Sequence, residues 1–101
     1  MGTILFALRL LSEVDSRLRR HIARRGELVR LIVLILDTID LKTVPLLELS
    51  SDIQELAATT VKLPAALHTK LKDIANSRRS SMNAIINSAI WAYTERPEKK
   101  D

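Results

Sequence analysis

The sequence predicts a mainly helical chain carrying one short antiparallel β-ribbon, and three observations predict it. From Thr59 to Thr94 the chain reads as strand, helix, helix. One strand with two helices cannot close a core, because the strand lacks a partner and too little apolar surface is covered. A constant shift of 53 residues then lays this stretch on the first half of the chain without a gap, which supplies a second strand and two more helices.

The second half gives the clearer signals. Thr59, Val61 and Leu63 alternate with Thr60 and Lys62 until Pro64, which adds no donor to a ladder and suits a first helical turn. Leu67, Leu71, Ile74 and Ala75 then recur at helical spacing. After Arg78-Arg79, the pair Ser80-Ser81 offers an N-cap, and Met82, Ile85, Ile86, Ala89, Ile90 and Tyr93 mark a second amphipathic helix.

In the repeat Lys62 falls on Arg9, Leu63 on Leu10, Leu67 on Val14, Leu71 on Leu18, Ile85 on Ile32 and Ile86 on Val33. The first half therefore reads as a strand over Thr3 to Leu10, a helix over Glu13 to Arg24 and a helix over Leu28 to Asp40. By its β-branched content, Leu31 to Leu36 equally suits a buried strand, and the repeat favours helix. The organisation expected is a first unit over 1–41, an apolar connection over 42–57, a second unit over 58–95 and a frayed tail over 96–101, making one compact domain. Pro45 ends the first unit, and Ser51 with Gln54 is a capping-box pattern for a short helix in the connection. Val44, Leu46, Leu47, Leu49, Ile53 and Leu56 make that connection too apolar for a tether, so it is expected to pack.

Composition bounds the function. The chain has 101 residues, 16 basic against 12 acidic, a net charge of +4 and no cysteine, and its pI is near 9.9. A modest basic surplus suits a polyanionic partner. Its distribution adds weight: seven arginines lie between Arg9 and Arg30, and five basic residues between Lys62 and Arg79 face Asp73 alone. No apolar run is long enough to span a bilayer and no basic leader precedes one, so a cytoplasmic, nucleoid-associated protein without a membrane partner is expected. His21 and His68 are not equivalent in the repeat, and with two glycines a phosphate-cradling loop is excluded. Neither enzyme activity, cofactor, metal nor small-molecule substrate is expected. His21 is read as a core-edge or phosphate-side residue.

Lys62-Leu63-Pro64, the apolar spacing of the helix after it and Ser81-Met82-Asn83 opening the next resemble the Arc-type branch of the ribbon-helix-helix DNA-binding family. The likeness covers Thr59 to Tyr93 well and Thr3 to Asp40 less well. In the first half Leu11 replaces the proline and Leu28-Val29-Arg30 replaces Ser-Met-Asn. The resemblance implies two interlocked units forming a single-chain pseudo-dimer whose antiparallel ribbon enters the major groove of double-stranded DNA.

Strand alternation puts Ile4, Phe6, Leu8 and Leu10 inward with Thr59, Val61 and Leu63. Leu5, Ala7 and Arg9 then point outward with Ala58, Thr60 and Lys62. The resemblance makes this outward face the base reader. Arg9 and Lys62 would donate to guanine, Thr60 would use its hydroxyl or methyl, and Leu5, Ala7 and Ala58 would touch thymine methyls. Taken singly, each is an ordinary exposed strand residue. Phosphate contacts are expected at the start of the last helix, from Arg79, Ser80, Ser81 and Asn83, and at Arg25 and Arg30 in the first unit. The remaining arginines of the first helix, Arg17 included, read as a solvated face.

One asymmetry stands out. Ala84, Asn87 and Ser88 correspond to Leu31, Leu34 and Ile35, a second apolar stripe. Left wet, each leucine or isoleucine forfeits roughly 1.5–3 kcal/mol, so a cover is expected, either the connection or self-association with a second molecule. The function expected is sequence-specific DNA binding as a bacterial transcriptional repressor. Alternatives are an accessory in plasmid transfer or partition, and an antitoxin or other protein-interaction module.

Overall fold

The computed structural model describes residues 2–21, 27–47 and 56–95. The capping-box pair Ser51 and Gln54, the 96–101 tail and Arg25 lie outside the described residues. Strand β1 (Thr3–Leu11) leads directly into helix α1 (Ser12–Arg19), and α2 follows over Glu27–Thr38. Strand β2 (Leu56–Pro64), helix α3 (Ala65–Ser77) and helix α4 (Met82–Glu95) repeat that order. The radius of gyration is 13.1 Å, which is that of one domain of about 100 residues.

The two strands form an antiparallel two-stranded sheet in which Thr3 pairs with Pro64 and Leu11 with Leu56. Adding 53 to the bounds of β1 gives those of β2, and adding 53 to the first residue of α1 gives that of α3. The register also sets Ala7 opposite Thr60, its own counterpart in the repeat. Both strands pass into their helices through the same backbone conformation, φ −58° and ψ 142° at Leu11, and φ −56° and ψ 139° at Pro64.

Side chains alternate as the period of a strand requires. Leu8, Leu10, Val61 and Leu63 are buried, Ile4, Phe6 and Thr59 are half-buried, and Leu5, Ala7, Arg9, Ala58, Thr60 and Lys62 are exposed. The inner face packs on Val14 and Leu18 of α1, Ile32 and Leu36 of α2, Leu67, Leu71 and Ile74 of α3, and Ile85, Ile86 and Ile90 of α4. Every residue from Ala84 to Ile90 is buried. A helix buried around its circumference is central, and α4 touches α1, α2, α3 and β1.

Several expectations are corrected. Helix α1 ends at Arg19, not Arg24, because the chain turns: the His21 N–H reaches back to the Leu18 carbonyl, and His21 Nδ1 lies 3.0 Å from the Arg17 carbonyl oxygen. Strand β2 begins two residues earlier than expected, at Leu56, since the ladder runs on to Leu11. The described part of the connection packs. Leu41 and Val44 are buried, and Arg78 Nη1 donates to both their carbonyls, at 3.1 and 2.7 Å. The Leu47 N–H donates to Ser88 Oγ on α4 at 2.8 Å. The described part of the connection therefore runs over the end of α3 to α4. Of the apolar stripe, Ile35 is fully buried and so offers nothing to a second molecule, Leu31 is half-buried and Leu34 remains 50% exposed. Arg17 is no solvated residue: its guanidinium lies 3.8 Å from the Trp91 ring centroid, and its Nε–H donates to Thr94 Oγ1 at 3.2 Å.

Candidate nucleic-acid interface

The six residues expected to read bases come together on one face. They form three cross-strand pairs, Leu5 with Lys62, Ala7 with Thr60 and Arg9 with Ala58. All six are exposed, and Leu5, at 66%, is a large apolar side chain in water. The two cations stand at opposite ends. Arg9 lies opposite Ala58, four residues from Lys62 along β2, which is about 13 Å at the rise of a strand.

The backbone phase of the ribbon is fixed by α4. The Arg9 N–H donates to Asn83 Oδ1 at 2.9 Å. The Leu11 N–H donates to Asn87 Oδ1, and Asn87 Nδ2 donates to the Arg9 carbonyl, each at 2.9 Å. Odd-numbered residues of β1 thus turn their backbone groups away from β2, and the exposed pairs are the closely spaced, non-hydrogen-bonded ones. Asn87 is fully buried with its amide satisfied. This is how two polar side chains on the central helix close one edge of the ribbon.

The phosphate candidates divide. Ser81 Oγ accepts the Ala84 N–H at 3.0 Å, so it is an N-cap. The Ile85 N–H goes to the Ser81 carbonyl, and the N–H groups of Met82 and Asn83 are left at the helix start. Asn83 holds the strand with its oxygen, which removes that atom from any solvent ligand. Because Asn83 is bonded to Arg9, the first turn of α4 stands beside β1. Ser80 is half-buried, and its N–H donates to the Ala75 carbonyl at 2.8 Å while the Arg79 N–H donates to Asn76. That is a Schellman ending with Arg79 in the left-handed position, φ 55°, where glycine is usual. The Arg79 side chain is exposed, as is Arg30 on α2, the helix that touches β2.

No family model, curated protein or solved structure matches this chain. The site therefore rests on its own geometry. Among the described residues no group of three or more His, Asp or Glu is placed to hold a metal ion, and no helix is long and apolar enough to cross a membrane. Arg19 is paired with Asp15 at 3.0 Å. His21 is exposed against the edge of Tyr93, and His68 is half-buried against Phe6, so neither histidine stands on the ribbon face. Sequence reasoning placed Arg78 in a turn and Asn87 in the asymmetry between the two halves, and missed the bonds that each makes. Nothing local marks them, since the strand groups that Asn87 bonds lie 76 and 78 residues away and the carbonyls that Arg78 bonds lie 37 and 34 residues away.

Proposed function

We propose that this chain is a sequence-specific double-stranded-DNA-binding protein, acting as a transcriptional repressor, that inserts its two-stranded ribbon into the major groove. The observation that carries this reading is the ribbon itself. One face packs on the core, while the other presents six exposed side chains with a cation at each end. A two-stranded ribbon has the width the major groove admits. A separation of about 13 Å between Arg9 and Lys62 spans roughly four base-pair steps. The fork of Arg9 suits guanine O6 and N7, and Leu5 suits a thymine methyl. The N–H groups at the start of α4, with Arg79 near them, suit a phosphate.

The chain acts as a single-chain pseudo-dimer of two strand-helix-helix units. Matching strand bounds at the shift of 53, and the pairing of Ala7 with its own counterpart Thr60, support this reading. The local two-fold axis then relates Leu5 to Ala58 and Arg9 to Lys62, and no related pair on the reading face is identical. The preferred site is accordingly non-palindromic. Selection from random duplexes tests this, and a perfect palindrome would count against it. The exposed Leu5 also supports a second reading, a face that docks a protein and binds no DNA.

A further inference from the structure

The two ends of the ribbon face are held differently. At one end, both backbone groups of Arg9 are bonded by α4 side chains, the N–H by Asn83 and the carbonyl by Asn87. Asn87 is itself fixed, since it is fully buried and its Nδ2 also donates to the Asn83 carbonyl at 2.8 Å. At the other end stands Lys62, and the residues in register with Asn83 and Asn87 are Arg30 and Leu34. Neither of these bonds the Lys62 backbone, and no other side chain among the described residues does.

This inequality matches the chemistry of the two cations. A guanidinium reads guanine through two parallel bonds and loses them when its base of support moves, because such a constellation must be held within about 0.5 Å. An ammonium is a point charge on a flexible stem and tolerates movement. The fork stands on the anchored backbone, and the point charge on the unanchored one.

We infer that Asn83 and Asn87 are positioning residues that fix Arg9 for base recognition, which makes the Arg9 end of the DNA site stringent and the Lys62 end tolerant. This rests on the DNA-reading function proposed above. The two asparagines touch no base. They act through the backbone of the residue that does.

The test measures binding to all four bases at the two positions whose discrimination is lost in Arg9→Ala and in Lys62→Ala. Asn83→Ala removes only the acceptor for the Arg9 N–H. It lowers discrimination at the Arg9 position about threefold to tenfold and leaves the Lys62 position and the salt slope unchanged. Asn83→Asp keeps an acceptor oxygen and restores discrimination, while its charge weakens binding to all duplexes alike. The pair Leu11→Pro with Asn87→Leu copies the residues of the opposite end, Pro64 and Leu34, and is assayed at a temperature where its circular dichroism matches that of the wild type. It reproduces the loss at the Arg9 position. Equal loss at both positions, or weaker binding with discrimination at Arg9 retained, overturns the inference. A wild-type chain that retards no duplex at low salt overturns the DNA-reading function itself, and that is seen without any variant.

Discussion

Replacing Asn87 by leucine makes α4 carry what α2 carries at Leu34, and the consequence follows from one missing acceptor. Asn87 accepts the Leu11 N–H and donates to the Arg9 and Asn83 carbonyls, all from a fully buried position. A buried donor left unpaired costs about 1–3 kcal/mol. The leucine returns part of this through burial, so Asn87→Leu is expected to destabilise by about 2 kcal/mol. Leu11→Pro removes the orphan. Its φ of −58° already suits proline, and residue 10 before it is in the extended conformation that proline demands. Alone, that change strands the Asn87 oxygen, at about 1–3 kcal/mol, but narrows the unfolded ensemble by about 0.4–1 kcal/mol, for a net cost of about 0–2.5 kcal/mol. Together the two changes remove donor and acceptor at once, as Pro64 and Leu34 do at the opposite end. Urea denaturation of the wild type, both single variants and the double variant should give a favourable coupling of about 1–2 kcal/mol. Additivity within about 0.5 kcal/mol would refute the account of this edge.

Other outcomes follow from single contacts. Arg17→Ala removes the stacking on Trp91 and the bond to Thr94; it should cost about 1–2 kcal/mol and shift the emission of the sole tryptophan, whereas Lys70→Ala at the counterpart, an exposed position, should change stability by less than about 0.5 kcal/mol. Arg78→Ala releases the carbonyls of Leu41 and Val44 and should accelerate amide exchange over residues 41–47, with α1 unaffected. Arg79→Gly relieves a left-handed backbone and should stabilise the fold by up to about 1 kcal/mol, yet weaken binding to every duplex alike, a combination that calorimetry and gel shifts resolve.

Much of the fold is legible because its signals are local. Alternation over Thr3 to Leu10 and Thr59 to Leu63 has period two, so the two faces of the ribbon follow from the sequence, and pairing an unpartnered strand with its repeat gives the antiparallel ladder that the structure has. Helix α2 is ambiguous by composition and becomes legible through the repeat. What stays hidden is non-local or lacks a residue-type marker. The left-handed turn at Arg79 carries no glycine. Arg17 looks solvated because Trp91 is 74 residues away in the chain. Leu11 in place of proline and Leu34 in place of asparagine read as two unrelated departures, and only the geometry of the edge shows them to be one: an N–H that needs an acceptor at one end, and neither donor nor acceptor at the other.

The central claim is that the exposed ribbon face reads duplex DNA. A gel shift of the full chain on a random duplex, titrated with salt, tests it most directly. Retardation should be strong at low salt and fall linearly in log affinity against log salt. It should drop further when Arg9 and Lys62 are both changed to alanine in a chain of unchanged stability. No retardation at the lowest salt, or retardation indifferent to both residues, would contradict it.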